Sequence, residues 1–124
     1  MSAGDTVEAS KRLRQDAHRL ADVVTRLESP SGSYSLLGDL LDAQRSMEQV
    51  LRELVEWHRR TMPGVHFAEH HDESVAGVTT VVEQLDLAIQ QAEGLQETLS
   101  RAYGGSSVVR WFDEEEEPDP PALP

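Results

Sequence analysis

Residues 75–102 read VAGVTTVVEQLDLAIQQAEGLQETLSRA. Their apolar positions recur in steps of three and four: Val75, Val78, Val82, Leu85, Ile89, Ala92, Leu95, Leu99 and Ala102. That spacing keeps side chains on one face of an α-helix and does not fit the two-residue alternation of a strand. Two earlier stretches repeat it. One runs Leu13, Ala17, Leu20, Val24, Leu27. The other runs Leu37, Leu40, Met47, Val50, Leu54, broadened by Leu36, Leu41, Leu51, Val55 and Trp57. Three long amphipathic helices predict an all-α fold, an antiparallel three-helix bundle with coiled-coil-like packing.

Composition sets the limits of that bundle. The chain has 124 residues, enough for one small core. Only 5% of them are aromatic, so the core must be built from Leu, Val and Ala. There is no cysteine, which excludes disulfides and thiolate metal sites and suits a reducing, cytoplasmic setting. The first fourteen residues have no apolar stretch of the secretory type, and no apolar run approaches the roughly 20 residues that span a bilayer. These features predict a soluble protein without a membrane partner.

Net charge is −12, and its distribution is uneven. No Lys or Arg lies between Arg60 and Arg101, so residues 64–103 carry seven acids against Arg101 alone. Phosphate contacts need clustered basic side chains, so direct nucleic-acid binding is not expected. An acidic third helix and an acidic tail predict a protein partner with a basic surface.

Punctuation divides the chain. Asp5-Thr6-Val7-Glu8 reads as an N-cap with Glu three residues on, opening a helix that runs to about Glu28. Ser29-Pro30-Ser31-Gly32-Ser33 breaks it, and a second helix is expected from Ser33 or Ser35 to about Thr61, before Pro63-Gly64. The third begins between Val65 and Ser74 and stops at Tyr103-Gly104-Gly105, a C-cap arrangement. The bundle domain is therefore 1–105 and the remainder, 106–124, an aromatic, acidic and Pro-rich tail. Five consecutive acids and four prolines predict disorder at its end. Short connections make successive helices antiparallel neighbours. The rival organisation is a hairpin of helices 2 and 3, with helix 1 given to or taken from another subunit. The stripes leave room for a homo-oligomer.

Two clusters invite a chemical reading. His58, His66 and His70 fall near the second turn, and His66 and His70 stand four apart, a spacing that suits two imidazoles on one zinc ion. A solvated bundle end rich in His reads the same way, and no cofactor is otherwise called for. His66-Phe67-Ala68-Glu69-His70 also resembles the H-x-x-E-H motif of inverted zincin metallopeptidases. It covers five residues, without the large domain that family surrounds it with. In the tail, Trp111 and Phe112 precede Asp113, Glu114, Glu115, Glu116 and Glu117, a pattern in which aromatics fill a groove while carboxylates meet a basic rim.

Other catalytic signatures are missing: no G-x-S-x-G, no P-loop, no G-x-G-x-x-G and no thiol nucleophile. The sequence thus predicts a non-enzymatic helical interaction module, an adaptor, scaffold or small regulator. A metal-binding helical protein is the second reading. A small secreted helical effector is the third, since size and hairpin character resemble the substrates of type VII secretion. Those carry Trp-x-Gly in the turn and Tyr-x-x-x-Asp/Glu after the last helix. Here the turn is Met62-Pro63-Gly64 and Ser107 stands fourth after Tyr103, so both hallmarks are missing.

Overall fold

The computed structural model describes residues 3–60 and 71–114, with side chains described at 4–60, 73 and 75–109. The chain is all-α. Helix α1 spans Ala3–Val23, α2 spans Pro30–Arg60 and α3 spans His71–Glu114; one 3-10 turn, Val24–Arg26, closes α1. Their 31 and 44 residues make α2 and α3 rods of about 46 and 66 Å.

The connection between α1 and α2 forms where Ser, Thr and Pro compete with helical bonding. Thr25 Oγ1 donates back to the Asp22 carbonyl at 3.0 Å, and the Leu27 amide closes the 3-10 turn on Val24 at 3.1 Å. Leu27 is then extended, with φ −63° and ψ 129°. Helix α2 starts earlier than Ser33. The Ser29 hydroxyl accepts from the Gly32 amide at 3.1 Å, and the Ser33 amide reaches the Ser29 carbonyl at 3.1 Å. Ser29 is therefore an N-cap and Pro30 the first helical residue, where its missing amide costs no hydrogen bond. The expected breaker is a start signal.

Helix α1 begins ahead of the expected cap, so Asp5 sits inside its first turn, where a carboxylate still favours the helix dipole. Helix α3 begins within the expected window but does not stop at Gly104-Gly105. It runs through both glycines to Glu114. Glycine weakens a helix by about 1 kcal/mol without forbidding it. The Ser107 hydroxyl bonds back to the Gly104 carbonyl at 2.6 Å, keeping the turn closed. The backbone of Trp111 and Phe112 is thus helical, and α3 continues past residue 105.

Helices α2 and α3 pack antiparallel over their length. Tyr34 meets Tyr103 near the start of α2, Gln44 reaches Ala92, and Arg59 meets Asp86 near its end. The seam on α2 is Tyr34, Leu37, Leu41, Gln44, Glu48, Leu51, Val55, His58. On α3 it is Val78, Val82, Leu85, Ile89, Ala92, Gln96, Leu99, Tyr103. Only Leu41, Val55, Ile89 and Ala92 are buried hydrophobics among the described residues, and none of the larger side chains is fully enclosed. At one end, Tyr34 and Tyr103 stack with centroids 4.6 Å apart and share a hydroxyl hydrogen bond of 2.8 Å.

The helical-bundle class stands, and what differs is the place of α1. It packs against neither α2 nor α3 of its own chain. Leu13, Val24 and Leu27 on its stripe remain exposed. A connection of three residues, Leu27–Ser29, with Leu27 extended, carries α1 off the hairpin instead of along it. No helix among the described residues is long and apolar enough to cross a membrane.

Candidate interaction face

A two-helix hairpin has two flanks, and here they differ in chemistry. One flank is charged. Arg45, Arg52 and Arg59 recur every seven residues beside the α2 seam, as Asp86 and Glu93 do beside the α3 seam. Arg52 pairs with Glu93, and Arg59 Nη2 lies 3.1 Å from Asp86 Oδ2. Arg59 also holds Glu56 at 2.8 Å, and Arg101 holds Glu97 at 3.0 Å. An open cleft of about 570 Å³ lies here, lined by Arg45, Glu48, Arg52, Glu93, Gln96, Glu97, Ser100 and Arg101. Its acids are ion-paired to arginines of the same chain, and its lining holds no histidine. The pairs are roughly half exposed, so each contributes about 0.2–1 kcal/mol at most. The cleft reads as a surface network.

The acidic third helix is therefore less available than its charge suggests. Asp86, Glu93 and Glu97 each meet an arginine. The arginines come from α2 or from one turn along α3, which a count of charge between Arg60 and Arg101 does not reveal.

The opposite flank is uncharged. Beside the α3 seam, Val81, Ala88, Leu95, Ala102 and Val109 recur every seven residues, with Gln84, Gln91 and Thr98 outside them. Beside the α2 seam stand Leu40, Met47 and Leu54, and next to these Leu36, Ala43, Val50 and Trp57. Together the α2 residues form a second stripe, in unbroken steps of four and three, that α3 does not cover. Val50 is 57% exposed, and Trp57 and Leu95 are each 48% exposed. The Trp57 and His58 rings meet edge to face, centroids 4.9 Å apart. An apolar face of this length with one charged edge is the composition of an interaction surface. Its outer edge on α2 carries Asp39 and Glu53, with Ser46 between them and Arg60 beyond.

This face was legible in part. Reading α2 as one broad stripe merged two seams. Counting the series from Leu36 to Trp57 separately from that of Tyr34 to His58 would have resolved them.

The expected sites fare differently. His58 lies on the α2 seam, half-buried. His66 and His70 lie outside the described residues, as does the whole H-x-x-E-H motif, so the proposed zinc set is not assembled from what is described. Among the described residues no group of three or more His, Asp or Glu is placed to hold a metal ion. Of the tail set, Trp111, Phe112, Asp113 and Glu114 lie on the last turn of α3 by backbone, and Glu115, Glu116 and Glu117 lie outside the described residues. The chain matches no known family model, and neither a similar curated protein nor a similar solved structure was found.

Proposed function

We propose that this protein is a non-enzymatic helical interaction module that binds an amphipathic helix on the uncharged flank of its α2–α3 hairpin. The observation that carries the reading is the second α2 stripe, where Met47, Val50, Leu54 and Trp57 are all two-fifths or more exposed beside the uncharged Val81–Val109 strip of α3. Removing the exposed part of such side chains from water stabilises a complex by about 1 kcal/mol each. An apolar helix laid into a groove with charged residues on one edge is a recurrent recognition mode. Adaptor, scaffold and small-regulator roles all use such a face. The acidic edge of α2 favours a binding helix with basic residues on its adjoining flank.

Paired substitutions on the two flanks test this. Val50→Glu with Leu54→Glu should abolish helix binding while leaving far-UV helicity near that of the parent, because both positions are already exposed. Arg52→Ala on the charged flank should leave binding within about twofold. Loss of binding with Arg52→Ala, and retention with Val50→Glu/Leu54→Glu, would place the interaction on the other flank and sink the reading.

A further inference from the structure

We infer that the occupant of this face is α1 of a second copy of the chain, so that two chains exchange their first helices in a reciprocal homodimer. The inference rests on the interaction-face reading and names its partner. Three observations point to a second copy.

The first is that both halves of the contact exist in one chain and do not meet there. The α1 stripe is exposed except at half-buried Leu20 and the second α2 stripe is exposed from Ala43 to Trp57, and α1 touches neither hairpin helix.

The second is register. With the three-residue connection Leu27–Ser29, α1 folding back on its own chain would bring Leu20 level with Leu36 and Leu13 level with Ala43. Val24 and Leu27 would then lie over the polar Ser29–Ser33 stretch, and Leu54 and Trp57 would run past the α1 stripe. Against a second copy the register is free. Setting Leu20 level with Ala43, antiparallel, also sets Ala17 by Met47 and Leu13 by Val50, and brings the turn from Val24 to Leu27 beside Leu40 and Leu36. The two stripes have the same steps, and large side chains meet small ones at Leu20 and Met47. This orientation also places the two α2 starts close together and sends the hairpins in opposite directions, as an α1 carried off its own hairpin requires.

The third is charge. Arg12, Arg19 and Arg26 recur every seven residues on the flank of the α1 stripe that adjoins the acidic edge of α2, and outnumber Asp16, which lies between them and the stripe. In the register above, Arg26 comes level with Asp39 and Arg12 with Glu53. The α2–α3 pair already uses this plan, since Arg52 and Arg59 meet Glu93 and Asp86 at seven-residue intervals. Each copy contributes an α1 face and a groove, about the 20–30 residues a side of a stable interface.

The chain has no cysteine, so introduced pairs report cleanly. Leu13→Cys/Val50→Cys reports exchange between copies, and Leu13→Cys/Ala43→Cys reports folding back within one. Both are made in the full chain and oxidised, alongside light scattering of the unmodified protein. The expected result is twice the 13.8 kDa chain mass in solution and a covalent dimer from the first pair. Arg12→Glu/Arg26→Glu should raise the dissociation constant tenfold or more, and adding Asp39→Arg/Glu53→Arg should restore it. A single chain closed on itself by the second pair would overturn the exchange and leave the face as a helix-binding site. A dimer that neither pair captures would also overturn it. A monomer with neither cross-link would overturn the exchange alone, and the face reading then stands or falls on whether Val50→Glu/Leu54→Glu abolishes helix binding.

Discussion

Ser29 and Gly38 show how single residues set this hairpin. Ser29 caps α2 through its hydroxyl, bonded to the Gly32 amide. Ser29→Ala should lower stability by about 1 kcal/mol in urea unfolding, with an unchanged slope. Gly38 has a different role. A Cβ there would lie 3.0 Å from a ring carbon of Tyr103, so the missing side chain lets that ring lie on α2 and stack on Tyr34. Gly94, also mid-helix, would meet nothing within 4 Å. Gly94→Ala should therefore stabilise by close to the full helix-propensity difference, about 1 kcal/mol. Gly38→Ala should gain clearly less, since the ring must give way. Equal melting-temperature gains for the two would show that the ring contact contributes nothing.

At the scale of elements, the seam explains why α2 and α3 form at all. Isolated helices are marginal in water, and their stability comes from burying one face. Ile89 is one of the few buried positions, so Ile89→Ala should cost about 2–3 kcal/mol, the low end for such truncations because the core is thin. The charged flank contributes less. A double-mutant cycle on Arg52 and Glu93 should return a coupling below about 1 kcal/mol that shrinks in high salt. Helix α3 teaches the limit of local signals. Gly104-Gly105 looks like a stop, yet Tyr103 is anchored on Tyr34 and the next proline stands at Pro118, so helical bonding continues past the pair.

For the whole molecule, a hairpin with four buried hydrophobics among its described residues has little core of its own. If the exposed faces meet between chains, stability must depend on concentration through mass action. The melting temperature of the full chain should rise by several degrees between about 1 and 100 μM, whereas Val50→Glu should melt at one temperature throughout. A concentration-independent melt of the parent chain would mean that the hairpin stands alone.

Three helices, their apolar faces and the antiparallel pairing of the last two were legible in the amino-acid sequence. Those follow from local spacing, which a helix turns directly into a face. The sequence did not determine where the helices start and stop at Ser29-Pro30 and Gly104-Gly105, because one residue type serves as cap, breaker or tolerated insertion depending on what packs beside it. Nor did it separate the two α2 stripes from Leu36 and Tyr34 onward, since both lie within one broad apolar arc until a neighbour covers one. It took the packed hairpin to show that α3 covers the Tyr34–His58 seam, that its acids meet arginines, and that the flank from Ala43 to Trp57 is left exposed. Those are choices between faces of similar hydrophobicity, settled by which side chains fit together across the seam and not by any single segment.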